Sequence, residues 1–191
     1  MSIVRRIAPA LAAALLLTGC TDVLSTGDGD YVPGEGNVTE VEATDRGDPV
    51  TLEGDTVDGG TVDLADYRGQ VVVVNVWWSG CGPCRAEMPL LVEAADELPA
   101  DETEFVGINI RDLAPETAAA FERDRGVDYP SIYDPGSVTL AHFGRYRPAS
   151  MPSTAILDRE GRVAALISGE ISSKTTLVTL VEDLLGEASD G

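Results

Sequence analysis

The sequence predicts an α/β sandwich, and three observations carry that prediction. The run Val71–Trp77 is almost wholly apolar and mostly β-branched, as expected of a central strand covered on both faces. Downstream, apolar runs of strand length alternate with amphipathic segments of helical period. Towards the C-terminus two apolar runs flank the polar turn Asp158-Arg159-Glu160-Gly161, the pattern of an antiparallel hairpin.

Taken in order, residues 50–52 and 61–64 alternate apolar and polar around Asp58-Gly59-Gly60 and read as a first hairpin. Asp66-Tyr67-Arg68-Gly69 turns the chain into the central strand. A helix follows from Pro83, with Cys84, Met88, Leu91, Ala95 and Leu98 at three- and four-residue steps and Arg85, Glu87, Glu93 and Asp96 elsewhere on the wheel. Pro83 suits a first turn, where its missing N–H is not needed, whereas Pro89 falls inside the helix and should kink it. Residues 105–110 form an apolar strand, and Pro115–Arg125 a helix opened by proline and closed by Gly126. A short strand over Ser131–Tyr133, a short helix over 138–143, hairpin strands at 154–157 and 163–167, and a last helix over 173–185 complete the series.

The chemistry points to Cys81-Gly82-Pro83-Cys84. A cysteine leaving a buried strand at the start of a helix sits near free backbone N–H groups and the positive end of the helix dipole, which favour its thiolate. A disulfide across this spacing opens and recloses without moving the fold, so the pair can pass two electrons to another protein. Zinc needs more ligands than are here: there is no second cysteine pair and His142 is the single histidine. Covalent haem would need a histidine where Arg85 stands. His142 reads as a packed or surface residue and Trp77 as core.

The chain has 191 residues with 33 acidic against 13 basic and a net charge of -20, and Lys174 is its only lysine. That balance argues against nucleic acid and against direct adsorption to anionic lipid. Residues 21–48 are rich in Gly, Asp, Thr and Glu and read as a solvated, extended tether. Upstream, Arg5 and Arg6 precede an apolar stretch too short to span a bilayer, which reads as a signal. Leu17-Thr18-Gly19-Cys20 then resembles a bacterial lipobox. The resemblance implies cleavage before Cys20 and its lipidation; an ordinary secretory signal or an uncleaved anchor are the other readings. Each places the folded part outside the cytoplasm. The expected organisation is a signal over 1–19, a lipidated tether over 20–48 and a folded domain over 49–187.

Val74-Asn75-Val76-Trp77, the Cys-Gly-Pro-Cys-Arg-Ala-Glu-Met-Pro run from Cys81 to Pro89, Tyr129-Pro130-Ser131-Ile132-Tyr133-Asp134-Pro135 and Met151-Pro152-Ser153-Thr154 resemble the thioredoxin superfamily. More narrowly they are similar to its membrane-tethered TlpA/ResA-like branch. The resemblance implies a thioredoxin-like three-layer α/β/α sandwich with an N-terminal β-hairpin and a βα insertion around residues 104–133. It implies that Cys81 is the exposed attacking thiol, Cys84 the buried resolving thiol, and Pro152 a cis proline placing the Met151 backbone where an extended peptide can pair with it. Glu87 matches an acidic residue of that branch that handles the resolving thiol's proton; the plainer reading is a solvated helix glutamate. Asn75 stands where classical thioredoxins carry a buried Asp, so their proton relay should be absent. The branch usually carries Trp directly before the first cysteine; here Gly80 holds that place, and Trp78 is the candidate substrate-contacting aromatic from a shifted position.

The implied function is an extracytoplasmic, lipid-anchored thiol–disulfide oxidoreductase that reduces disulfides of substrate proteins, with no cofactor beyond the Cys81–Cys84 disulfide. Its partners would be protein thiols and disulfides, such as apocytochrome c or copper-site proteins, and a membrane thiol donor. A disulfide-forming oxidase and a Cu(I)-binding lipoprotein are the alternatives.

Overall fold

The computed structural model describes residues 37–187 of the chain. The signal, Cys20 and the first part of the expected tether lie outside them. A six-stranded sheet organises the described residues, in the order β1-β8-β7-β4-β5-β6. Its centre is β4 (Val71–Trp77), buried along its whole length. β4 pairs in parallel with β5 (Thr103–Asn109) and antiparallel with β7 (Ser153–Leu157). β6 (Ser131–Tyr133) continues in parallel beyond β5, and β8 (Val163–Ser168) returns antiparallel beside β7.

Alternation along β4 divides the core in two. Val71, Val73 and Trp77 face one side, where α1 (Gly82–Glu97), α2 (Pro115–Arg125) and α3 (Lys174–Gly186) supply Met88, Leu91, Phe121, Leu177 and Val181. Val72, Val74 and Val76 face the other, covered by Val50, Leu52, Val62, Leu64, Leu140 and Phe143. The three expected layers are therefore present, but the second outer layer is not built of α-helices. It consists of a two-stranded sheet, β2 (Glu53–Asp55) with β3 (Thr61–Asp63), and a 3-10 segment over Thr139–Tyr146 where a short helix over 138–143 was expected.

Two expectations need correction. The first hairpin strand is Glu53–Asp55 rather than residues 50–52; Val50 and Leu52 are instead buried, Val50 N–H donating to Gly161 C=O and Leu64 N–H to Leu52 C=O. The second concerns the tether over 20–48, which from residue 37 onward belongs to the folded unit. β1 (Asn37–Glu40) pairs antiparallel with β8, with Val38 opposite Ile167, and Val41 is buried. The Arg46 guanidinium, only 4% exposed, is held by Asp158 at 3.1 Å and Glu187 at 2.7 Å. A short strand at the margin of a sheet needs few apolar side chains, because its backbone supplies the pairing, so its polar composition mimics a solvated linker.

α1 runs through Pro89 as one helix. Proline lacks the N–H that would bond the carbonyl four residues back, that of Arg85. Arg125 at the end of α2 fills the gap, donating from Nη1 to Arg85 C=O at 3.0 Å. Its guanidinium and that of Arg85 both lie against the Phe121 ring, 5.2 and 5.4 Å from the centroid. α2 ends as its sequence requires, on Gly126 in the left-handed conformation, φ 70°.

Candidate active site

Where β4 leaves the sheet, the chain makes a tight turn closed by Cys81 N–H donating to Trp78 C=O, and α1 begins. Cys81 is the N-cap, its sulfur accepting from Cys84 N–H at 3.1 Å, and Pro83 occupies the first turn as the sequence requires. Cys81 and Cys84 form a disulfide with their Cα atoms 5.2 Å apart. Cys81 is 7% exposed and Cys84 not at all, so the order of accessibility is the expected one, although the expected exposed thiol shows only a narrow face in the disulfide form.

Glu87, one turn beyond Cys84, overturns the solvated reading. It is fully buried, not part of the polar side of the wheel. Its carboxylate accepts from the Asn75 side-chain amide at 2.9 Å and from Ile171 backbone N–H at 2.8 Å. Burial disfavours the charged form and pushes the carboxyl up to about 7, against the two hydrogen bonds and with some help from Glu170. The same Asn75 amide nitrogen also donates to Thr154 Oγ1 at 3.0 Å, so β4, β7 and α1 meet at one polar point inside an apolar core. Asn75 thus does not merely replace a buried acid: it holds one. An asparagine in the middle of an otherwise apolar strand was the available signal, since a buried amide requires partners. Ile171 left no signal, because it contributes only its backbone.

A second buried carboxylate, Glu122 on α2, is also pushed up to about 7, mainly by burial. Tyr129 is raised above the ordinary phenol range by burial and by Glu122 and Glu87. Its hydroxyl contacts Met88 Sδ at 3.4 Å.

The Met151–Pro152 peptide is cis, as the resemblance implied, and opens directly into β7. Because β7 runs antiparallel to β4, this bond lies at the same end of the sheet as Cys81. Met151 is half-buried against both halves of the core. Trp78 is half-buried against the apolar cluster that contains both cysteines. A Cβ at Gly80 would come under 3.0 Å from three atoms of the Trp78 six-membered ring. The indole therefore occupies the space where a side chain at position 80 would begin, which explains both the glycine and the displaced aromatic. His142 is exposed.

One participant is absent from the sequence reading. Asp112, in the loop after β5, accepts from Ser79 N–H at 2.9 Å, from the Ser79 hydroxyl at 2.5 Å and from the Asn109 amide at 2.8 Å. It ties the turn carrying Trp78 and Cys81 to the neighbouring strand, and Arg85 adds a bond from Nη1 to Ser79 C=O at 3.1 Å.

The sequence that builds this disulfide, the buried carboxylate one turn on and the cis proline matches one family model, Redoxin, over residues 35–183. The chain belongs to the Redoxin family. This redoxin is 32% identical over 128 residues to the thiol:disulfide interchange protein HelX of Rhodobacter capsulatus, covering 66% of this chain and 68% of that one. It is 25% identical to the thiol-disulfide oxidoreductase ResA of Bacillus subtilis, covering 60% of this chain and 62% of that one. Among solved structures, a secreted thiol-disulfide isomerase from Corynebacterium glutamicum superposes with a TM-score of 0.74 at 32% identity, covering 82% of this chain and 96% of that one. A DsbF homologue from Corynebacterium diphtheriae gives 0.72 at 33%, covering 80% and 96%. The redoxin is a TlpA/ResA-like member of the thioredoxin superfamily and a thiol–disulfide oxidoreductase.

Proposed function

We propose that this redoxin works outside the cytoplasm, tethered to the cell membrane through lipidated Cys20, and reduces disulfides in partner proteins. Apocytochrome c and copper-site proteins are the proposed substrates, and a membrane thiol donor the proposed source of electrons. The observation that carries the reading is the fully buried Glu87 carboxylate one helical turn from the fully buried Cys84. A carboxyl with a midpoint near 7 is suited to take and return a proton near neutrality.

The exchange proceeds in two displacements. Cys81 thiolate attacks one sulfur of the partner disulfide; a new S–S bond forms to Cys81 and the other partner sulfur leaves as thiolate, then takes a proton. Cys84 gives its proton to Glu87 and attacks Cys81 Sγ; the Cys81–Cys84 disulfide forms and the second partner sulfur leaves, regaining a proton. Two electrons pass to the partner, and the thiol donor restores them. The helix N-terminus favours the Cys81 thiolate by the positive end of its dipole. An extended partner segment pairs with the backbone at Met151, beside cis Pro152, and Trp78 shields the reacting sulfurs from the flank.

The test is the equilibrium reduction potential of the full chain against dithiothreitol and glutathione, with Cys84→Ser as control. A value near or below about -250 mV supports a reductant; one near about -120 mV assigns the protein to disulfide formation. Absence of a reversible two-electron couple refutes the exchange and returns the pair to Cu(I) binding. Labelling with a radioactive fatty acid, lost in Cys20→Ser, tests the anchor separately.

A further inference from the structure

The loop after β5 is built in a way that a mere connection does not require. β4 and β5 are parallel neighbours with Trp77 opposite Asn109, so residues 78–81 and 110–114 leave the same end of the sheet from strands about 4.8 Å apart. Asp112 pins the two loops together through its three hydrogen bonds to Ser79 and Asn109, and Tyr133 hydroxyl donates to the Asp112 carbonyl at 3.0 Å. On this fastened loop Arg111 is in the left-handed region at φ 66°, a conformation that disfavours a residue with a Cβ. Strain of this kind persists where the surroundings over-determine it, and it gathers at functional sites. The next residue but one, Leu113, is 97% exposed, against 71% for Val138, the other exposed large hydrophobic side chain among the described residues.

The chemistry of exchange names what comes to lie there. A mixed disulfide holds the partner's sulfur about 2 Å from Cys81 Sγ. At about 3.3 Å of chain per residue, the neighbours of the partner's cysteine then lie over the adjacent strand end. Apolar side chains sit on the segments at this end of the sheet: Leu113 on the loop that Asp112 ties to Ser79, half-buried Trp78 against the cluster that holds both cysteines, and half-buried Met151 before cis Pro152. The loop's one carboxylate, Asp112, is 5% exposed and engaged with Ser79 and Asn109, so it puts no free negative charge beside Leu113.

We propose that Leu113 is the outer wall of a docking ledge that receives an apolar side chain flanking the partner's reactive cysteine. The ledge rests on the exchange reaction proposed above and adds the kind of segment that reaction favours. The reduced full chain is mixed with short peptides whose single cysteine is joined by a disulfide to thionitrobenzoate, flanked either by leucine or by serine. Cys81 attacks the peptide sulfur, the aromatic thiolate leaves, and its colour reports the rate. The quantity read is the ratio of the two rates, in which any general effect on thiol reactivity cancels.

The wild-type ratio is expected to favour the leucine peptide roughly tenfold, the effect of partly burying one leucine side chain. Leu113→Ser brings the ratio close to one, and Leu113→Met, still apolar, retains it. A wild-type ratio near one, or a preference that survives Leu113→Ser, overturns the ledge. Failure of both peptides to react overturns the exchange reaction itself and the ledge with it.

Discussion

Glu87→Gln measures how firmly the fold disfavours the charged carboxylate. Folding raises this carboxyl from 4.5 to about 7, so between those values the folded protein binds its proton while the unfolded chain releases it. The folded state therefore loses stability as pH rises through that window, and the loss levels off above 7. From the two midpoints the penalty is about 1 kcal/mol at pH 5 and about 3 kcal/mol at pH 8. Glutamine carries no charge and escapes the penalty. It brings a fixed cost of its own, since its amide N–H must face one of the donors from Asn75 and Ile171, but that cost is the same at both pH values. The effect of Glu87→Gln on unfolding free energy should thus shift by about 2 to 3 kcal/mol in the stabilising direction between pH 5 and pH 8. Denaturant unfolding of the disulfide form, in which no cysteine titrates, supplies the four values required. Glu122 contributes a trend of the same sign to both proteins and cancels in the comparison. A shift below about 0.5 kcal/mol would falsify the assignment of Glu87 as a destabilised buried acid.

Removing the other half of the pair by Asn75→Leu leaves the carboxylate one donor, from Ile171, and should carry its midpoint above 7 by about one pH unit, the worth of a hydrogen bond to a charged group. Carbon-13 titration of the Glu87 carboxyl checks this, and an unchanged or lower midpoint contradicts it. Gly80→Val should drive the Trp78 ring into solvent, read as stronger acrylamide quenching of its emission in a Trp77→Phe background; equal quenching would mean that the ring does not occupy the space above position 80. Arg46→Ala strips Asp158 and Glu187 of a partner and should cost about 2 to 3 kcal/mol of unfolding free energy, less than a wholly buried pair because Glu187 is partly exposed and Asp158 keeps Arg162. A loss under about 0.5 kcal/mol would return residues 37–48 to the tether.

The parts of this molecule that follow a period are legible in its residues. β4, α2 and the β7–β8 hairpin lie within a residue or so of where their apolar patterns place them, because burial there is repetitive and local. Glu87 fails for the opposite reason. A helical wheel assigns every glutamate to water, whereas this one is held inside by an amide twelve residues back and a backbone N–H eighty-four residues on. Asp112 likewise takes its meaning from Ser79, thirty-three residues away, and nothing in its own neighbourhood sets it apart. The cysteines were reached through their spacing between a buried strand and a helix, and cis Pro152 through resemblance, neither through periodicity. Trp78 needed the structure, since only the geometry reveals that Gly80 makes room for its ring.

The polar strand β1 has a protective consequence. β8 reads Val-Ala-Ala-Leu-Ile-Ser, and without β1 one whole side of its backbone would present unpaired N–H and C=O groups beside apolar side chains. Such a margin is a template onto which another chain can add, and repeated addition leads to aggregates. β1 caps it with four residues, of which Asn37, Thr39 and Glu40 are exposed, and so replaces a long sticky border with a short hydrophilic one. A chain trimmed at residue 49 would keep both cysteines and Glu87 yet lose this guard, and would self-associate at concentrations where the longer chain stays dispersed.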